Sequence, residues 1–174
     1  LAAVVPGLNF APTTPGNTPT LGLRGAARGA AGGRLDPTVQ TYMNEAPVSD
    51  VMVYQALYDI GQVEVLRGPQ GTLRGRPSSA GAITFTTKRP DMTRTTGSAS
   101  LSYSNLDQIR AEGAVGIPII KDVLAVRLAG VVDRNDSDRV RSLYSNRKSE
   151  QKLNSWRASV RFKPVDILDI NVMY

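Results

Sequence analysis

The chain's 174 residues can bury one sizeable core or two small ones, since domains cluster at roughly 100 to 150 residues. Its formal charge of +6 is spread evenly, with 8 basic and 5 acidic residues through Pro90 and 13 and 10 after it, and no basic face interleaved with aromatics stands out, so a nucleic-acid partner is not expected. With no Cys and no His there is no disulfide framework, no thiolate or imidazole metal site and no nucleophile resting on a His base; no cofactor is expected, and the carboxylates, Lys, Tyr and Ser that remain show no catalytic spacing.

No basic segment followed by an apolar stretch opens the chain, and no apolar run approaches the ~18 residues of a membrane helix. A strand-built membrane barrel stays open, because each of its strands needs only about ten residues. Residues 1 to 35 are rich in Gly, Pro, Ala and Thr and read as an irregular, loop-rich segment. Leu1 to Val5, ending at Pro6-Gly7, suits the tail of a helix. Dense β-branched and aromatic residues predict short strands at Val39 to Met43, Gln62 to Leu66 and Gly81 to Thr87, and Tyr54 to Ile60 is compatible with a helical turn. The expectation is a small mixed α/β unit.

After Arg94 the pattern changes to a period of two that lasts to the end of the chain. Ala99, Leu101 and Tyr103 alternate with serines, and Ile109, Ala111, Val115 and Ile117 with Gln108, Arg110 and Glu112. Leu124, Val126, Leu128 and Val132 stand opposite Arg127 and Asp133, although Ala125 and Val131 dilute that second face. Trp156, Ala158, Val160 and Phe162 share one face while Arg157, Arg161 and Lys163 share the other, and Leu168, Ile170, Val172 and Tyr174 oppose Asp169 and Asn171. Five consecutive strands with one apolar and one largely polar side are predicted. Asn105 to Asp107, Pro118 to Asp122 and Pro164 to Asp166 read as tight connections, and Asp133 to Leu153 as a long charged one. In an outer-membrane barrel the long connection faces outside the cell, which places Tyr103, Trp156 and Phe162 among candidate interface aromatics.

Alternation alone fits a soluble β-sandwich equally well. Two features favour a barrel: the polar face carries Arg and Lys repeatedly, as a water-filled lumen permits, and the apolar face is expected to carry no charge.

The stretch from Tyr58 to Pro90, with Gln62-Val63-Glu64-Val65-Leu66-Arg67-Gly68-Pro69-Gln70-Gly71 followed by Leu73-Arg74-Gly75-Arg76 and Gly81-Ala82-Ile83, closely resembles the plug signature of TonB-dependent receptors. Leu23-Arg24-Gly25 resembles the family's earlier apolar-Arg-Gly element, and Asp36 through Val48 the strand pair that follows. Arg74 stands where an aromatic is usual, and Asn44-Glu45 replaces the customary Asp-Gly turn, which predicts a less favourable hairpin because Glu lacks the ease of Gly at positive φ. Physically, Val63, Val65 and Leu66 supply a buried strand, Gly68-Pro69 stops it, and Gly71, Gly75 and Gly81 permit close turns. The Gly68 to Gly75 loop lacks the Gly-Lys-Ser/Thr ending of a phosphate cradle.

The resemblance implies an α+β plug domain over residues 1–92, followed over 93–174 by about five antiparallel transmembrane strands of an incomplete outer-membrane β-barrel. It implies energised uptake of a scarce ligand, most often an iron-siderophore complex, with outer-membrane lipid around the wall and the TonB-ExbB-ExbD complex pulling on a peptide that would precede Leu1. It further implies that Arg24 and Arg67 pair with glutamates on later strands, and that Arg28, Arg34, Tyr54 and Gln55 on plug loops face the ligand. Two other readings are weighed against it. A secreted or surface β-sandwich adhesin predicts a stable, soluble chain. A carboxylate hydrolase using Glu45 and Glu64 requires those two side chains to meet, and the sequence gives no reason for them to do so.

Overall fold

The computed structural model describes residues 6–11, 20–23, 26–27, 38–49, 57–70, 78–104, 108–135 and 151–174, and within them every regular element is a strand. The chain divides into two compact units, Leu1–Thr87 and Lys88–Tyr174.

In the first unit, β1 (Leu8–Ala11), β2 (Thr20–Leu23) and β3 (Ala26–Ala27) form a small antiparallel sheet in that order. A second sheet has the order β5-β4-β7-β6, built from β4 (Val39–Met43), β5 (Ala46–Val48), β6 (Ile60–Arg67) and β7 (Gly81–Thr87). β4 runs parallel to β7, its residues Val39 to Met43 opposite Gly81 to Phe85, and both strands are buried along almost their whole length. Continuous burial on both faces is what a central parallel pair requires, and it explains why Val39-Gln40-Thr41-Tyr42-Met43 shows no alternation. The core is Leu8, Leu23, Val39, Met43, Ile83 and Phe85, with Ile60, Val63 and Val65 of β6 packed on its side.

The three strands predicted for this unit are present, two of them with the expected limits, while β6 is longer by two residues at its start and one at its end. The helical turn predicted over Tyr54 to Ile60 is corrected where it can be seen: Leu57 to Asp59 form an irregular bend with Asp59 at φ +53°, and Ile60 already pairs with Thr87. The supposed helix tail at Leu1 to Val5 lies outside the described residues.

The second unit is one five-stranded antiparallel sheet in the order β12-β11-β10-β9-β8, comprising β8 (Thr96–Ser104), β9 (Gln108–Ile120), β10 (Leu124–Asn135), β11 (Gln151–Val165) and β12 (Leu168–Met173). Strictly sequential neighbours make it a meander, with β8 and β12 at its two edges. The register between β10 and β11 runs unbroken from Leu124↔Phe162 to Asn135↔Gln151. Pro118 and Pro164 were expected in the connections, yet both lie inside strands. Each sits where the ladder shifts: Ile119 is passed over between β9 and β10, and Lys163 and Pro164 between β11 and β12. A bulge is where a residue without an N–H is tolerated in a sheet.

Candidate functional site: a sheet with two opposed faces

The register decides which side chains share a face. Tyr103 stands opposite Ile109, and Leu101 opposite Ala111; Val115 pairs with Leu128 and Ile117 with Val126. Beyond β10, Val126 faces Val160, Leu124 faces Phe162, and these meet Val172 and Ile170 on β12. The result is an unbroken apolar face across all five strands, and it is exposed: Trp156 is 65% accessible, Leu101 76%, Tyr103 71% and Phe162 39%.

The opposite face inverts the usual arrangement of a soluble protein. Arg127 is only 4% accessible and Arg157 7%, and Ser159, Ala125, Ala129 and Val131 are buried with them. Several charges on this face are paired. Arg110 donates from Nε to Glu112 Oε1 at 2.6 Å and from Nη1 to Asp133 Oδ2 at 3.2 Å, and Gln108 donates to both oxygens of Asp133. Arg161 grips Asp169 with Nε and Nη2, the two-pronged geometry that suits a guanidinium to a carboxylate. Arg127 donates to Thr96 Oγ1 at 3.2 Å, alongside Gly116, where an added Cβ would crowd the guanidinium. Pairing of this kind is what repeated cations need when they face inward instead of into bulk water.

The candidate aromatics Tyr103, Trp156 and Phe162 all lie on the exposed apolar face. Because β11 begins at Gln151 and ends at Val165, Trp156 and Phe162 stand inside the strand and not at its ends as expected. The Trp156 and Tyr174 rings meet at 5.3 Å with a 41° tilt. Trp156 stands level with Gly130 and Gly113, and these three with Val115 and Leu128 outline a shallow apolar trough. A large ring beside cross-strand glycines covers backbone that has no side chain of its own. One expectation is overturned: the register carries Arg134 and Lys152 onto this face beyond Val132 and Asn154, so its far end is charged.

Arg67 closes β6 with its side chain exposed. Arg24, Arg28, Arg34, Tyr54 and Gln55 lie outside the described residues. Glu45 and Glu64 are not brought together: Glu45 stands on the turn joining β4 to the edge strand β5, and Glu64 lies on β6 at the opposite edge, accepting from Gln62 Nε2 at 2.9 Å.

Two side-chain locks escaped the sequence reading. Asn44 Oδ1 accepts from the Thr87 N–H at 2.9 Å while its Nδ2 donates to Thr87 Oγ1 at 3.1 Å, fastening the β4–β5 turn to the end of β7. Asp91 Oδ1 accepts from the N–H and hydroxyl of Thr93, both at 2.8 Å, and from the Arg94 N–H at 3.2 Å; Oδ2 takes Arg94 Nε at 3.1 Å. Asp-x-Thr-Arg is a local capping pattern and was legible. The Asn44 bond spans 43 residues and was not.

The first unit is a strand-built domain, and the second is an antiparallel sheet whose apolar face is exposed while Arg127 and Arg157 on its other face are buried. Residues 1–82 match the TonB-dependent Receptor Plug Domain family. The chain is 35% identical over 138 residues to the pesticin receptors of Yersinia enterocolitica and Yersinia pestis, covering 78% of this chain and 20% of theirs. In fold it is similar to the ferric yersiniabactin uptake receptor of Yersinia pestis, with a TM-score of 0.80 and 29% identity over 94% of this chain and 26% of that one. The pyoverdine outer membrane receptor of Pseudomonas aeruginosa shares the fold with a TM-score of 0.68 at 18% identity, over 97% of this chain and 23% of that one. The chain belongs to the TonB-dependent receptors, a family of receptors and transporters in the outer membrane of Gram-negative bacteria. It spans about a fifth of the length of the curated relatives it matches.

Proposed function

We propose that this chain supplies the plug and opening wall of an outer-membrane receptor for energised uptake of a scarce ligand, with a ferric siderophore as cargo. The observation that carries the reading is the inverted polarity of the second unit. Trp156, Leu101 and Tyr103 are exposed while Arg127 and Arg157 are covered, an arrangement costly in water and natural for a wall with lipid outside and a wet lumen inside. A β-sandwich adhesin would bury the apolar face and expose the arginines. In the proposed orientation the connections 105–107 and 136–150 face outside the cell and the turns at 121–123 and 166–167 face the periplasm.

Residues 1–92 act as plug and 93–174 as wall in this reading. Arg24 and Arg67 hold the plug through ion pairs with glutamates on later strands. Arg28, Arg34, Tyr54 and Gln55 contact the ligand, since cations and hydrogen-bond donors suit an anionic chelate. Energy comes from the TonB-ExbB-ExbD complex. The siderophore assignment is supported by the likeness, at 29% identity, to a receptor named for ferric yersiniabactin uptake.

The test is uptake of radiolabelled iron presented as ferric yersiniabactin, by cells whose own siderophore receptors are deleted and which express the full-length receptor carrying this chain. Accumulation that stops when TonB is deleted or a protonophore is added supports the proposal. Accumulation indifferent to both, or binding without accumulation, contradicts it.

A further inference from the structure

The end of the exposed face nearest residues 136–150 departs from the rest. Arg134 on β10 and Lys152 on β11 stand directly opposite each other in the register, and both are exposed on the face that carries Trp156. Cross-strand partners lie about 5 Å apart at Cβ, so two like charges there repel, and an anion shared between them turns repulsion into attraction. Asn154, exposed on the same face of β11, adds an amide beside them. The stretch from Arg134 to Lys152 holds six basic and three acidic residues, so the connection does not reverse the sign of this end.

The strand sets the level of the pair along the wall. Ten positions of β11 separate Lys152 from Phe162, about 34 Å at about 3.4 Å per residue, and a strand tilted by about 35–45° covers roughly 24–28 Å of height over that length. The apolar band of such a wall is about 25 Å tall, so with Phe162 at one edge the two cations stand at the other. Tyr103 shares their row through Ile109, which is opposite Arg134, and an aromatic belongs at that level. Val132 and Asn154 form the next row, and the trough beside Gly113, Gly130 and Trp156 opens in the row after it.

We propose that Arg134 and Lys152 bind the phosphate of an anionic lipid in the leaflet facing outside the cell, with an acyl chain of the same molecule lying in the trough beside Trp156. The inference rests on the reading of this sheet as a membrane wall. Both halves of the site call for one amphiphile: a free phosphate gains nothing from the trough, and a neutral lipid gains nothing from the cations.

The test uses the full-length receptor with Trp156 as its only tryptophan, reconstituted in phosphatidylcholine vesicles that contain a minor fraction of either phosphatidic acid or phosphatidylcholine brominated on its acyl chains. Brominated phosphatidic acid is expected to quench Trp156 at least about twofold more than the same amount of brominated phosphatidylcholine. In Arg134→Gln/Lys152→Gln the two lipids are expected to quench equally, at the phosphatidylcholine level of the parent, while Arg134→Lys keeps the excess. Equal quenching in the parent, or an excess that survives the double substitution, overturns the site and leaves the wall standing. An excess removed by inorganic phosphate but not by sodium chloride at the same ionic strength overturns the lipid as occupant. No quenching by either lipid overturns both the site and the wall.

Discussion

Asn44 and Glu45 both adopt positive φ, +47° and +70°, in the two-residue turn joining Met43 to Ala46, so the hairpin has type I′ geometry without the glycine that usually allows it. The sequence reading expected a poorer turn. What it lacked was the distant partner: the Asn44 amide offsets its own strain by bonding Thr87. Glu45 makes no such bond among the described residues. Replacing Glu45 with Gly is expected to stabilise the plug by about 0.5–1 kcal/mol, and Asn44→Ala to destabilise it by about 1–3 kcal/mol, both read from urea unfolding midpoints of the receptor. Gly81, at φ +154°, has no room for a side chain because an added Cβ would run into the Leu66 carbonyl and Leu23. Gly81→Ala is therefore expected to cost more than about 2 kcal/mol in the same measurement. At Asp91 the bonds from Thr93, then that from Arg94, hold the carboxyl far below the usual carboxylate range. A depressed folded pKa means the contribution is complete above the unfolded value near 3.9 and is lost only as pH falls through the lower folded one. Amide exchange at Thr93 and Arg94 should consequently stay protected at a pH where ordinary carboxylates are half protonated, and become fast there in Asp91→Ala.

At the scale of elements, alternation located all five strands of the second unit and the faces of the side chains within the predicted runs, because a period of two is written directly in the residue order. Strand lengths were less legible. β9 and β11 run through Pro118 and Pro164 since bulges absorb the missing N–H groups, and bulges depend on the neighbouring strand. β10 continues to Asn135, which brings Arg134 opposite Lys152 and ends the apolar face with charge. In the first unit the strands β4 and β7 were visible as dense β-branched and aromatic residues, whereas their parallel pairing, 42 positions apart in the chain, was not. Two substitutions separate the faces of the wall. Val160→Lys, on the apolar face, is expected to cost about 2–4 kcal/mol in refolding of the receptor into lipid vesicles, while Asn171→Lys, on the polar face of β12, should change it by less than about 1 kcal/mol. Equal costs would mean that the faces are not distinguished by lipid.

For the whole molecule, the open sheet is the dominant physical fact. Among the described residues the outer edges of β8 and β12 have no neighbouring strand, and an exposed apolar face next to such edges invites association. These 174 residues by themselves are expected to sediment from aqueous buffer and stay dispersed in detergent, checked by ultracentrifugation. The family and the general architecture were legible because the Tyr58 to Pro90 signature and the alternating half are local patterns. The Asn44–Thr87 lock and the tie from the Asp122 N–H to the Met92 carbonyl needed coordinates, since they join residues from separate elements. If the proposed wall is right, the exposed face of the sheet meets hydrocarbon, and Trp156, the sole tryptophan of the chain, reports on it directly. In the full-length receptor with every other tryptophan replaced by phenylalanine and reconstituted in vesicles, Trp156 fluorescence should be quenched by lipids brominated on their acyl chains and shielded from iodide in the buffer. Quenching by iodide without quenching by brominated lipid would contradict a membrane wall.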